Sequence, residues 1–247
     1  MNLVKSFYNF LPFNKAEDSD YVTQINKAGT PWPALTNIIT NVDSILELGS
    51  GQGWLSNRIG LQYPNISVTG IDIVKENIDR SNSYATNNTK FYEEDILKTQ
   101  RSADGVISIG VLHHITDNDI YNLTKLAISK SKKYAFIGLY HKQSRDYMHS
   151  YFSSITDESK KYKRFKKMTP WIKNETHRQS WYRDQLYHPC ECAVSVDMFY
   201  KIAEDTGTNL VWVNANTDKE LYDISINKIK SFEFTSGFIY GLFERKI

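Results

Sequence analysis

The chain has 247 residues, enough for one α/β unit with appendages. Its 30 Lys and Arg against 28 Asp and Glu leave a formal charge of +2, so net charge makes no case for a nucleic-acid or membrane partner. No run approaches the roughly 20 apolar residues of a membrane span. The aromatic N-terminus around Phe7, Tyr8, Phe10, Leu11 and Phe13 is broken by Asn9, Pro12 and Asn14 before it could form a signal-peptide core, so a soluble, cytoplasmic protein is expected.

In chain order, residues 16–27 and 32–41 read as two acidic, aromatic-containing helices separated by Gly29-Thr30-Pro31. With the residues before them they form an expected cap, 1–43. A strand at 44–48 leads through a glycine-rich loop to a helix at 53–62, which Tyr63-Pro64-Asn65 ends. A β-branched run at 66–71 stops at Asp72, and a helix follows from Lys75 to about Tyr84. Residues 90–92 form a third, short strand, and 105–109 a fourth, apolar except at Ser108, as suits a strand buried on both faces. The helix at 117–130 places Ile120, Leu123, Ala127 and Ile128 close to one face, and 134–140 is the fifth strand. This alternation predicts right-handed βαβ units and a doubly wound, mostly parallel sheet.

From 141 to about 191 the alternation stops in a segment rich in Lys, Arg, Tyr and Trp. It resumes with a helix at 196–205, a strand at 210–214, a helix at 218–230 and a last strand at 237–244. The expected organisation is one domain, with a core at 44–140, a helical insertion at 141–192 and a completion of the sheet at 193–247.

The loop after the first strand reads Glu47-Leu48-Gly49-Ser50-Gly51-Gln52-Gly53. A strand that stops in glycines lets a cofactor lie against bare backbone at the carboxyl edge of a sheet. A dinucleotide fingerprint has its third glycine three residues after the second, and Trp54 fills that place. Glu47 would repel a pyrophosphate but attract an ammonium, so S-adenosylmethionine, with an ammonium, a sulfonium and no phosphate, fits better than a nicotinamide dinucleotide. Asp72, followed by Ile73, ends the second strand where an acid binds both ribose hydroxyls, although an acid there also suits a helix N-cap. Asp95 and Ile96 follow the third strand, the first to take an adenine amine and the second to pack on its ring. Glu93 and Glu94 make a plain solvated turn an equal reading.

Gly110-Val111-Leu112-His113-His114-Ile115 follows the fourth strand, at the point where the strand order reverses. In an extended segment adjacent side chains point apart, so at most one of the two histidines faces the site, and His113 is the candidate. They also read as metal ligands or as loop residues fixed by the backbone.

Together these stations resemble a class I S-adenosylmethionine-dependent methyltransferase with a Rossmann-like fold, over roughly 44–140. The resemblance implies S-adenosyl-L-methionine as cofactor and a seven-stranded sheet whose last strand runs antiparallel. It also implies cofactor contacts from Gly49, Gly51, Asp72, Asp95 and the Gly110-Val111 backbone, to which Glu47, Ser50, Gly53, Ile73 and Ile96 are added as neighbours. The segments Gly138-Leu139-Tyr140-His141-Lys142 and Trp181-Tyr182-Arg183-Asp184-Gln185, continuing to His188-Pro189, are similar to a bacterial branch of such enzymes of unassigned substrate. The fourth-strand loop has no Asn/Asp-Pro-Pro-Tyr/Phe clamp for a planar nitrogen, which argues against methylation of base amines.

The insertion is the expected specificity element. Between Glu158 and Asp184 it holds nine Lys and Arg against three acids, a net +6, which leaves −4 for the rest of the chain. Those charges would attract an anionic acceptor, or simply form a solvated helix face, since Tyr162 and Phe165 are spaced to turn inward. His177, Arg178, Trp181, Tyr182, Asp184 and His188 mix aromatic and titratable groups as a pocket does. The expected activity is methyl transfer to an oxygen or nitrogen of a small, if charged then anionic, molecule. His113, Asp184 and His188 are the candidate catalytic residues, and Tyr140, Arg178, Trp181 and Tyr182 the candidate substrate contacts. Cys190 and Cys192, one residue apart, supply half of a closed zinc site at most, and no metal is expected. The alternatives are a tRNA or rRNA methyltransferase that uses 160–183 as a phosphate track, and a non-catalytic cofactor-binding subunit. A synthase acting on a polyamine would want an acidic pocket, against the +6 segment.

Overall fold

The computed structural model describes residues 3–14, 17–115 and 119–246. Three helices, α1 (Leu3–Phe10), α2 (Asp18–Ile25) and α3 (Pro33–Ile39), precede the first strand, β1 (Ser44–Leu48). Then follow α4 (Trp54–Gln62), β2 (Ser67–Asp72), α5 (Lys75–Ser83), β3 (Thr89–Glu93), β4 (Ala103–Ile109), a 3₁₀ turn at Leu112–His114, α6 (Ile120–Ser129) and β5 (Ser131–Tyr140). Part of the expected start of α6, Asp117, lies outside the described residues; Asp119 caps the helix by accepting from the Tyr121 amide at 2.9 Å.

The segment from 141 onward is helical: α7 (Lys142–Ser153), α8 (Glu158–Met168) and α9 (Glu175–Tyr187). The chain closes with α10 (Val196–Thr206), β6 (Thr208–Val213), α11 (Asp218–Lys230) and β7 (Phe238–Arg245). The seven strands lie in the order β3-β2-β1-β4-β5-β7-β6, with β7 antiparallel to both of its neighbours and the other pairs parallel.

The strand periodicity of two divides the core between the two faces of the sheet. Leu46 and Leu48 of β1, Val106 of β4 and Ala135, Ile137 and Leu139 of β5 pack with Ala127 and Ile128 of α6 and Phe199 and Ile202 of α10. Ile45, Ile107, Phe136 and Leu242 pack on the opposite face against Leu35 and Ile39 of α3 and Leu55 and Ile59 of α4. The inserted helices carry a third core, in which Met148, Phe152, Phe165, Met168 and Tyr182 meet Ile229 and Phe234. Phe165 is fully buried and Tyr162 partly so, while Lys160, Lys163, Lys166 and Lys167 are exposed. The basic run is thus the outer face of α8.

Candidate active site

Parallel strands β1 to β5 all end on one edge, and the order reverses between β1 and β4, which opens a crevice there. The cavity in that crevice has a volume of about 490 Å³, in the roughly 300–1,000 Å³ range of small-ligand sites. Its floor is the glycine loop and its far wall is α9, with α1 and the chain after it closing the top. A separate charged hollow of about 610 Å³ between α2 and α5 is lined by Asp18, Glu76, Asp79, Arg80 and Tyr84, away from the other strand ends.

Gly49, at φ +74°, donates its amide to Ile71 O at 2.8 Å, and a Cβ there would strike Val111 at 2.5 Å. Gly51, at φ +52°, has nothing within 4 Å of where a Cβ would be, so its backbone is bare toward a ligand. Its amide donates to Asp72 Oδ2 at 2.9 Å. Asp72 Oδ1 accepts from the Val74 amide at 2.9 Å and from Asn77 Nδ2 at 3.2 Å, so the acid both shapes the start of α5 and reaches the cavity. Burial raises its pKa against those hydrogen bonds. Gly53 caps α4 and stands behind the cavity wall, so its part is to turn the chain.

Glu47 points into the same space, and its carboxylate accepts from Ser56 Oγ at 2.5 Å. Burial dominates over that bond and lifts its pKa to about 7. Around the loop, Ser50 Oγ, Gln52 Oε1 and Asn77 Oδ1 are buried without a hydrogen-bond partner, and all three residues line the cavity. Orphaned polar atoms on one wall are what a polar ligand would satisfy. Asp95 and Ile96 lie on the same wall; Asp95 Oδ1 accepts from the Leu97 amide at 2.9 Å. Glu94, also part of the lining, pairs with Arg101 at 2.8 Å, and Glu93, outside it, with Lys5 of α1 at 2.9 Å. Ile73, Gly110 and Val111 complete the lining on this side.

The histidine pair departs from the sequence expectation. Because residues 112–114 form a 3₁₀ turn rather than an extended segment, His113 turns inward and His114 takes the place at the cavity. His113 is 1% exposed, stacked on Tyr140 at 3.8 Å, and its Nδ1 accepts from the Tyr140 amide at 3.2 Å. Burial holds its pKa well below the ordinary value, so it is a neutral packing residue behind Tyr140.

Trp181 and Asp184 of α9 and His188, its C-cap, recur at intervals of three and four on one side of the helix. Trp181 and Asp184 line the cavity; His188 stands just behind, its ring stacked on His114 at 3.6 Å. Buried Asp184 accepts from Tyr8 Oη at 2.7 Å and Gln185 Nε2 at 2.9 Å, and burial raises its pKa. Arg178 and Tyr182 flank the stripe on the side of α8 and contribute nothing to the cavity lining. Arg178 is held by Glu175 at 2.6 Å and by Ile172 O, and the Tyr182 hydroxyl donates to Glu158. None of the lysines of α8 lines the cavity either. Tyr140 does, with the Arg145 guanidinium 3.8 Å above its ring and Gln185 Nε2 donating to its hydroxyl at 2.9 Å.

Several lining residues escaped the sequence reading: Tyr8, Phe13 and Asn14 from the N-terminus, Trp32, Asn77, and Phe238 and Tyr240 of β7. The aromatic spacing of 7–13 was the visible signal for the first of these. For the others, placement depends on which strands end together.

Residues 39–207 match the methyltransferase domain family, and the chain belongs to it. It is an S-adenosylmethionine-dependent methyltransferase. Among solved structures, magnesium protoporphyrin IX methyltransferase (ChlM) from Synechocystis PCC 6803 with bound SAH aligns at a TM-score of 0.56 and 12% identity, over 99% of each chain. PKMT2 from Rickettsia typhi in complex with AdoHcy aligns at 0.56 and 14% identity, over 96% of this chain and 54% of that one. The plantazolicin methyltransferase BpumL, with a triazolic desmethylPZN analog and SAH, aligns at 0.54 and 14% identity, over 100% and 95%. No curated protein matches the sequence. At these identities the structural likenesses establish the fold alone.

Proposed function

We propose that the enzyme methylates an oxygen or nitrogen of a small acceptor held between the glycine loop and α9. The observation that carries this reading is the division of one cavity into two chemistries. One end is polar and backbone-lined, with Glu47, Gly51, Asp72, Asn77 and Asp95; the other is aromatic, with Tyr8, Trp32, Tyr140, Trp181, Phe238 and Tyr240 around Asp184 and His114. The first end suits the amino acid, ribose and adenine parts of S-adenosylmethionine, and the orphaned Ser50, Gln52 and Asn77 oxygens support that fit. When bound, the cofactor supplies a methyl group on a sulfonium, a leaving group good enough that the protein mainly aligns the acceptor and excludes water.

In this reading Asp72 accepts from the ribose hydroxyls, and Glu47, as a carboxylate, holds the ammonium. Asp184 and His114 are the groups within the acceptor end that take or direct a proton, and the ring walls exclude water and fix an acceptor with an apolar face. His188 acts through His114, against which it stacks. The +6 stretch gives no support to an anionic acceptor, because its Lys and Arg side chains stand outside the cavity. Cys190 and Cys192 as reduced thiols suit the reducing cytoplasm, and no helix among the described residues is long and apolar enough to cross a membrane.

Calorimetry tests the cofactor end. The wild type should bind S-adenosylmethionine, and Asp72→Asn should bind it about tenfold or more weakly, the worth of a lost charged hydrogen bond. The acceptor end is tested by incubating enzyme and methyl-labelled cofactor with fractionated metabolites and, separately, with bulk RNA. Label in a metabolite fraction is expected. Label in RNA alone would move the acceptor to the exposed lysines of α8.

A further inference from the structure

His114 and Asp184, the proton-handling groups of the proposed reaction, form with His188 a grouping that a proton role alone does not account for. His114, Asp184 and His188 each offer one ligand atom, and the three atoms lie within 4.8 Å of one another. His114 and Asp184 are 3–4% exposed and His188 is half-buried. The carbonyl oxygen of Cys190 lies 2.8 Å from His114 Nδ1 and 2.5 Å from His188 Nδ1. A ring nitrogen comes that close to a carbonyl only with a proton between them, so His114 carries its proton on Nδ1 and its lone pair on Nε2. His188 Nδ1 faces both the Cys190 carbonyl and the Cys190 amide, the latter at 3.1 Å, so either of its nitrogens can carry the lone pair. His188 Nε2 is buried with no hydrogen-bond partner. Asp184 has one donor on each oxygen, Tyr8 and Gln185, which leaves lone pairs on both.

The geometry points to a divalent transition-metal site formed by His114, Asp184 and His188. Two neutral imidazoles and a carboxylate are the donor set of open, catalytic zinc and non-haem iron sites, which leave positions free for a further ligand. The surroundings have the form that metal histidines need. A backbone carbonyl fixes the His114 tautomer, and Tyr8 and Gln185 orient the carboxylate. Metal–ligand bonds of roughly 2.0–2.2 Å put two ligand atoms at most about 4.4 Å apart, so the three side chains must draw inward and the His114 and His188 rings, stacked at 3.6 Å, must turn to bring their in-plane lone pairs onto one ion. Arg145 and Arg183 are the nearby cations; Arg145 is paired with Glu191 at 2.5 Å, Arg183 donates to Phe7 O at 2.7 Å, and neither forms an ion pair with Asp184 among the described residues. An ion here would face the cavity through His114 and Asp184 and hold an acceptor oxygen, lowering the pKa of a hydroxyl so that its proton leaves to solvent. The oxygen then forms its bond to the methyl carbon as the carbon–sulfur bond breaks, and the neutral thioether departs. That role rests on the proposed methyl transfer; the ion's binding does not.

Chelator-treated protein is titrated with Co²⁺ alone and followed by visible absorption, with Zn²⁺ as competitor and metal content measured after dialysis. The wild type should bind one equivalent, give ligand-field bands and lose them to Zn²⁺. His114→Ala, His188→Ala and Asp184→Asn should each weaken binding by about 100-fold, whereas His149→Ala should not. S-adenosylmethionine binding by the same variants reports that they are folded, and its loss in the wild type would count against the cofactor reading without touching this one. No bands in the wild type, bands that persist in the three variants, or thiolate charge-transfer bands from Cys190 and Cys192 would each overturn the site.

Discussion

Glu47 is an acid enclosed beside a second acid, Asp72, with the hydroxyl and backbone amide of Ser56 as its partners. Its pKa near 7 lies above its unfolded value of about 4.3. Between those pH values the folded chain keeps a proton that the unfolded chain has lost, so this group's contribution to stability declines as pH rises through the window. The loss is on the order of 3 kcal/mol. His114 and His188, with depressed values near 4, act in the opposite sense below about pH 6.5, so the difference between wild type and Glu47→Gln isolates the effect. Urea midpoints of the cofactor-free proteins should show the variant gaining on the wild type from pH 4.5 to 7. If the carboxylate holds the ammonium, the affinity of the wild type for S-adenosylmethionine should also rise through pH 7 while that of the variant stays flat. Most cofactor-side residues were legible because each sits at a strand end, where local sequence fixes the backbone. The choice between His113 and His114 was not, since it turned on whether three residues were extended or in a 3₁₀ turn.

Among the elements, α9 decides the acceptor end, and its position depends on one buried cation. Arg145 of α7 bonds Glu191 at 2.8 and 2.5 Å, Gln185 O and Oε1 at 3.0 Å, and covers the Tyr140 ring, tying α7, α9 and β5 together. Burial would raise Glu191, but hydrogen bonds from His149 and Arg145 and the charge of Arg145 outweigh it and hold the acid at about 2. The stability this pair contributes is therefore present above the unfolded value of about 4.3 and is lost as pH falls toward 2. Glu191→Gln leaves Arg145 buried with half its partners, which should cost about 3 kcal/mol, or roughly 10 °C of melting temperature at neutral pH. By pH 3 the gap to the wild type should narrow. The inserted helices had readable starts, Asp157-Glu158 and Asn174-Glu175, whose side chains do cap α8 and α9. What hid α9 is that it is buried on more than one side through polar residues, His177, Arg178, Ser180, Asp184 and Gln185, so no apolar stripe marks it. The opposite problem concealed α1, which buries no residue fully and docks through Tyr8 to Asp184 and through Phe7 beneath Arg183, contacts some 175 positions away in the chain.

Taken whole, the molecule draws its cavity from nearly the full length of the chain, from Val4 to Tyr240, by ending strands at one edge and folding both the N-terminus and the insertion over it. A ligand there touches elements that otherwise meet only through a few side chains, so binding should be felt as stability of the assembly rather than of one loop. At a concentration of 100 times its Kd, S-adenosylhomocysteine should add about 2.7 kcal/mol, raising the melting temperature by roughly 5–10 °C for a chain of this size. Hydrogen exchange followed by mass spectrometry then locates the gain. Amides of α1, the glycine loop and α9 should slow with ligand beyond the global increment, because these carry Val4, Tyr8, Gly51, Gln52 and Asp184. Those of α11, which packs on α7 and has no residue in the cavity lining, should follow the global change only. An unchanged melting temperature would break the cofactor assignment. A shift confined to the glycine loop would instead leave the cofactor in place and show that α1 and α9 answer to the acceptor alone.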